Sequence, residues 1–168
     1  MIGRSTSRTE PGPYYRPGAP FRSSIADGVR GDRLTVAGRV LGGDGAPLSG
    51  AVLDVWHADS EGHYDAPSGR DAGAGWRLRG RIRAAADGTF RFETIRPAPY
   101  PVPGGMRPAH IHVIVSAEEF PNLVTELFFE DDPYLEKDPA ELVRPDLVRP
   151  VTRRDGTLWI EHEFFLNA

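Results

Sequence analysis

Proline and glycine interrupt this chain so often that long regular elements have little room. The sequence holds 16 Pro and 19 Gly in 168 residues. Proline fixes φ and removes a backbone donor, while glycine concentrates at turns, so the pattern suits short strands joined by tight connections and argues against long helices. Between the interruptions lie strand-like runs at Leu34–Leu41, Ala51–His57, Arg79–Arg83, Thr89–Ile95, His110–Val115, Leu123–Phe129 and Leu158–Phe165. Ala86-Asp87-Gly88 has the signature of a hairpin turn, and the alternation that follows puts the even-numbered positions of Thr89–Ile95 on the core face. About seven or eight strands at this spacing predict an all-β fold, an antiparallel β-sandwich with long Pro/Gly-rich loops. Helix is expected only as a short turn around Pro139–Val143, because Pro133, Pro139, Pro145 and Pro150 bound that region.

One domain is expected over residues 11–168, behind a polar, flexible tail at 1–10. The run from Pro67 to Gly75 reads as a mobile loop. A formal charge of −4 and a pI near 5.7 give no electrostatic case for nucleic acid or an anionic membrane as partner. Zero Cys excludes disulfides, zinc ribbons and thiol chemistry. No apolar run of membrane-spanning length occurs, and polar residues follow Met1-Ile2-Gly3-Arg4, so a cytoplasmic location is expected. Glu10–Pro20 cannot be regular structure, yet it carries Tyr14 and Tyr15. It either straps a sheet edge or brings one of these rings to a pocket mouth.

Chemistry concentrates between Tyr100 and His112. A Pro/Gly-rich loop there runs straight into the alternation His110-Ile111-His112-Val113-Ile114-Val115. Residues two apart on a strand face the same way, so both imidazoles can close on one metal ion. With no Cys in the chain, and with Tyr100 just upstream and Tyr64 ending another strand-like run, the available donors are two His and two Tyr. That hard, oxygen-rich set suits ferric iron better than zinc or copper(I).

These residues carry a resemblance. Gly45 to Tyr64, then Thr94 to Pro101, then Arg107-Pro108-Ala109-His110-Ile111-His112, in this order, are similar to the intradiol ring-cleaving dioxygenases, from about Pro11 to Pro133 and more weakly beyond. The resemblance implies a non-haem Fe(III) enzyme that uses O2 to open a catechol-type substrate between its two hydroxyls, giving a cis,cis-muconic acid. It implies Tyr64, Tyr100, His110 and His112 as metal ligands, Tyr100 also as a proton acceptor, and Arg107 as the cation that stabilises charge developing on the substrate. The phrase Arg96 to Pro101 resembles the protocatechuate-cleaving branch, in a compact form without the N-terminal helical dimerisation segment, and the family habit implies a homo-oligomer.

The chain departs from its relatives at Glu126, where Gln is common. A carboxylate there would repel an anionic substrate unless protonated or paired, for instance with Arg107, so Glu126 is counted among the catalytic residues. Tyr14, Tyr15 and Val102 are expected beside the substrate, Val102 in place of a bulky aromatic, and Arg16 or Arg22 could pair with a substrate carboxylate. His57 and His63 are read as non-ligands and His162 as structural. Two rival readings explain less. A transthyretin-like or carboxypeptidase-regulatory-like binding module explains Gly-x-Pro-Leu-x-Gly-Ala and Asp-Gly-x-Phe-x-Phe but leaves two Tyr and a His pair without a purpose. A cupin-type metal enzyme would need an acidic ligand soon after the His pair and a later His motif, but in this chain Glu118 is misplaced and the later motif is missing.

Overall fold

A computed structural model describes residues 3–65 and 75–168. The loop expected at Pro67 to Gly75 therefore lies, except for Gly75, outside the described residues. Eleven strands follow in order: β1 (Arg33–Gly42), β2 (Val52–Trp56), β3 (Arg79–Arg83), β4 (Thr89–Ile95), β5 (Tyr100–Val102), β6 (Gly105–Arg107), β7 (His110–Ser116), β8 (Leu123–Phe129), β9 (Val148–Arg149), β10 (Thr152–Arg154) and β11 (Thr157–Leu166). They form a four-stranded sheet ordered β10-β11-β1-β4, a five-stranded sheet ordered β3-β2-β7-β8-β9, and a small β5-β6 hairpin. Among the described residues no helix is long and apolar enough to cross a membrane.

The two larger sheets face each other over one core. Val36 and Val40 of β1, Phe90 and Phe92 of β4 and Ile160 and Phe164 of β11 pack against Leu53 and Val55 of β2, Ile111, Val113 and Val115 of β7 and Leu127 and Phe129 of β8. Each set comes from alternate positions of its strand, so the period-2 pattern becomes one apolar layer per sheet. The even positions of β4 are buried, as the alternation predicts. Gly38 lets β1 and β11 run close together: a Cβ there would stand 1.7 Å from the carbonyl oxygen of His162.

Four expectations need correction. The sandwich is not wholly antiparallel, because β1 pairs with β11 and β8 with β9 in parallel, each pair being joined by a long connection rather than a hairpin. Tyr100 and Arg107, expected in an irregular loop, sit opposite each other in the β5-β6 hairpin, which turns at Pro103-Gly104. The helical turn is displaced. Short 3-10 turns occupy Leu135–Lys137 and Pro145–Leu147, while Asp138 between them accepts the amides of Ala140 and Leu142 and winds that segment into a side-chain-closed turn. Finally, residues 3–9 are not a free tail. The amides of Arg4, Thr6 and Thr9 donate to Gly43, Phe165 and Val124, Thr6 is buried, and Phe165 donates back to the Thr6 hydroxyl. This strip binds backbone groups of both sheets, which no period-based reading can anticipate.

Candidate metal centre

The site lies on the outer face of the five-stranded sheet. Because Ile111, Val113 and Val115 turn into the core, His110 and His112 must turn the other way. Cross-strand register then sets a row of side chains on that face. Arg79 pairs with Trp56, Trp56 with His112, and His112 with Glu126. The face is covered by the segment carrying Tyr14 and Tyr15, so all four members of the row are buried.

Two loops bring in the tyrosines. Asp59 closes the turn before Tyr64 by accepting the amides of Glu61 and His63 at 2.9 and 3.0 Å, and its carbonyl accepts the amide of Ala98 at 3.0 Å. Gly62 makes this approach possible: at φ +85°, its missing Cβ would stand 2.8 Å from the Pro99 carbonyl and 3.0 Å from the Tyr100 Cβ. Tyr64 and Tyr100 thereby meet at the His pair.

The four donor atoms form a closed ring. Tyr64 Oη lies 3.4 Å from Tyr100 Oη, Tyr100 Oη 3.3 Å from His110 Nε2, His110 Nε2 3.1 Å from His112 Nε2, and His112 Nε2 3.1 Å from Tyr64 Oη. A metal ion held by O and N donors at about 2.0–2.2 Å requires neighbouring donors roughly 2.8–3.6 Å apart. All four edges meet that requirement. His110 donates Nδ1–H to the Pro108 carbonyl at 2.7 Å, which leaves the lone pair of Nε2 facing the ring. A second possible grouping, His110 and His112 with Glu126, has donor atoms within 4.8 Å of one another.

Electrostatics prepare the imidazoles and hold back the phenols. Burial pushes the His110 pKa down to about 3, with Arg107 assisting, and pushes His112 well below its ordinary value, with His110 assisting, so both rings are neutral. Burial raises Tyr64 well above the usual phenol range, with Tyr100 and Glu126 adding to the effect, and it raises Tyr100 too. The phenols keep their protons until a cation displaces them.

Arg107 sits beside this ring between two carboxylates. Its Nη1 and Nη2 donate to Glu126 at 3.1 and 3.2 Å, and its Nε and Nη2 donate to Asp138 at 3.0 and 3.2 Å. Glu126 also places Oε1 3.3 Å from His112 Nδ1, but off the line of the N–H, so this nitrogen has no hydrogen bond. The paired arrangement anticipated for Glu126 and Arg107 is present. Asp138 was missed in the sequence, where an Asp before Pro looks like any turn residue.

The remaining candidates separate. The Tyr14 ring stacks on Tyr64 at 4.1 Å and 13°, and its carbonyl accepts Nη1–H of the buried Arg79 at 2.6 Å. Arg79 also binds Asp65, the residue after Tyr64, at 2.8 Å, so one guanidinium ties the covering segment to the tyrosine turn. Leu78, just before Arg79, has a positive φ of 56°. Tyr15 points elsewhere: its hydroxyl donates to Asp54 at 3.0 Å and its ring packs on Trp56, which stacks on His112 at 4.8 Å and 6°. Val102 is half-buried in the hairpin near Tyr100. Arg16 lies 3.7 Å over the Trp76 ring and 3.8 Å from Asp65, and Arg22 donates to the carbonyls of Ser24 and Trp76. His57 spends both ring nitrogens on Ala58 and Thr94, and His63 is exposed.

Known proteins resemble this chain along nearly its whole length. A family model described as "Dioxygenase" matches residues 11–166. Chlorocatechol 1,2-dioxygenase of Rhodococcus opacus is 35% identical over 98% of this chain and 74% of its own length. 6-Chlorohydroxyquinol 1,2-dioxygenase of Cupriavidus pinatubonensis is 36% identical over 95% of this chain, which spans 64% of that relative. Among solved structures, the dioxygenase domain of a dioxygenase carbohydrate-binding protein fusion from Streptomyces sp. SirexAA-E superimposes with a TM-score of 0.84 at 34% identity, covering 98% of this chain and 99% of that one.

Proposed function

This chain belongs to the intradiol ring-cleaving dioxygenase family, and from that premise we propose that it is a non-haem Fe(III) enzyme that inserts both atoms of O2 into a catechol-type substrate to give a cis,cis-muconic acid. The observation that carries the reading is the ring of Tyr64 Oη, Tyr100 Oη, His110 Nε2 and His112 Nε2, with every edge between 3.1 and 3.4 Å. The donor set fits ferric iron, since two phenolates offset its charge and two neutral imidazoles complete the set. Held by these four residues, ferric iron would supply Lewis acidity to a bound catechol and so make its ring reactive to O2.

The protein's own groups divide the remaining work. Tyr64 is held on one face by Tyr14, while the turn after it is pinned through Asp65 to Arg79, so it serves as the fixed phenolate. Tyr100 stands in a three-residue strand and is half-buried, which suits it to accept a substrate hydroxyl proton at Oη. His110 is oriented by the Pro108 carbonyl, and Trp56 lies flat behind His112 and keeps water from its ring face. Arg107, fixed between Glu126 and Asp138, keeps a positive charge next to the site while negative charge grows on the substrate.

The reading is tested by incubating the iron-loaded protein with catechol under 18O2 and weighing the product. A muconic acid carrying both labelled atoms is expected. Incorporation of a single labelled atom, or recovery of unchanged catechol, would overturn it.

A further inference from the structure

The last strand leaves part of one edge uncovered. β11 pairs with β1 on one side from Leu158 to Leu166, but with β10 on the other only from Thr157 to Trp159. Beyond that point groups from elsewhere take over the free edge. Arg149 donates Nε–H to the Glu161 carbonyl at 2.8 Å, the Thr6 amide donates to the Phe165 carbonyl at 3.1 Å, and the Thr6 hydroxyl accepts the Phe165 amide at 2.8 Å. Backbone groups two residues apart on a strand face the same edge, so the amide and carbonyl of Glu163, halfway between, face it too. Among the described residues nothing meets them.

A groove of about 400 Å³ opens at this gap, with residues 4–6 on one wall and Asp146 and Arg149 on the other. His162 lines it from the core side, 6% exposed, with both ring nitrogens buried and unpartnered. A neutral imidazole can give one hydrogen bond and accept another. Arg149 has used only Nε, and Arg4 lies 5.4 Å over the Phe165 ring; among the described residues neither guanidinium has a carboxylate partner. The two carboxylates at the groove are directed elsewhere. Asp146 accepts the amide and hydroxyl of Ser7 at 2.9 and 2.7 Å, and Glu163 alternates to the exposed face of β11.

We propose that this groove binds a small oxyanion of the phosphate type, held by the guanidiniums of Arg149 and Arg4 and the Glu163 amide, with the His162 ring completing the shell. Monobasic phosphate offers oxygens to these donors and hydroxyls to the acceptor nitrogen of His162 and the Glu163 carbonyl, so one ion answers every unpaired group. Bound there, it links the terminal strip, β9 and β11 where β11 lacks a neighbouring strand. The groove and the donor ring belong to different sheets, so its occupancy is independent of the dioxygenase reading.

The test titrates inorganic phosphate calorimetrically into the iron-loaded wild type, His162→Phe and Arg149→Met, with chloride holding the ionic strength constant, and follows each protein by thermal scan. The wild type is expected to take up one phosphate per chain with a Kd of about 1 mM or tighter and to gain about 5 °C in Tm at roughly 50 mM phosphate. Each variant is expected to weaken binding about tenfold or more and to lose most of the Tm gain. Arg4→Met takes the place of Arg149→Met should that variant fail to fold. Binding that persists unchanged in both variants, as phosphate on the iron would, overturns the proposal. So does binding that only the arginine variant weakens, the mark of an adventitious ion only, or a wild type that shows neither phosphate heat nor a Tm gain.

Discussion

Replacing His162 with Phe should stabilise the protein, and by more as the solution becomes acidic. His162 points inward from β11 between Ile160 and Phe164, is 6% exposed, and meets the Phe164 ring edge-on at 4.6 Å. Both its ring nitrogens are buried without a hydrogen-bond partner. An orphaned buried polar group costs about 1–3 kcal/mol, which Phe, of similar shape and able to keep the contact with Phe164, would recover near neutrality. Burial, helped by Arg149 and opposed by Asp146, pushes the His162 pKa down to about 4 from 6.5. The folded state therefore resists a proton that the unfolded chain accepts. Stability from this group is complete above the unfolded value, is lost as pH falls from about 6.5 to about 4, and is constant below. Between pH 7.5 and pH 4.5 the loss integrates to about 2.5 kcal/mol, and His162→Phe removes it. Urea unfolding of both metal-free proteins across that range measures the difference. A stability gain that stays the same at every pH would refute the reasoning, because a solvated or hydrogen-bonded imidazole would have no depressed pKa to lose.

Other consequences follow from single contacts. Gly38→Ala should destabilise by more than about 4 kcal/mol, because the new Cβ would overlap the His162 carbonyl of the paired strand; a soluble variant with near wild-type Tm would contradict the register. Arg79→Met leaves Asp65 buried opposite an apolar group and frees the Tyr14 carbonyl, so about 3–5 kcal/mol is lost and Tm drops by roughly 10 °C in a thermal scan. Because burial keeps both tyrosines protonated, loading iron near neutral pH should release about two protons per ion, and iron affinity should rise with pH; a pH-indicator titration with no release would count against phenolate ligation.

Much of this was legible from period and residue type. The alternations fixed every long strand to within a residue or two, and the same rule put His110 and His112 on one face because Ile111, Val113 and Val115 take the other. Tyr64 and Tyr100 were legible as available donors, but their convergence depends on Gly62 and Asp59, whose role is tertiary. The ties among Arg79, Asp65 and Tyr14 and between Asp138 and Arg107 were illegible for a related reason. Arg79 begins the run Arg79-Gly80-Arg81-Ile82-Arg83, and nothing local distinguishes the buried first arginine from the exposed last one. The strip at residues 3–9 has no periodicity because its backbone, rather than its side chains, does the binding. Tyr15 looked equivalent to Tyr14, yet Tyr14 lies in a turn and the one-residue step beyond it sends Tyr15 to Asp54 behind Trp56 instead of onto Tyr64.

The visible absorption spectrum of the iron-loaded protein tests the ferric bis-tyrosinate site most directly, when it is recorded for the wild type, Tyr64→Phe and His162→Phe, before and after anaerobic catechol. A tyrosinate-to-iron charge-transfer band that catechol shifts, that Tyr64→Phe abolishes or displaces and that His162→Phe leaves alone is the predicted result. A protein that takes up ferric iron yet stays colourless, or whose band is the same in Tyr64→Phe, would contradict the account.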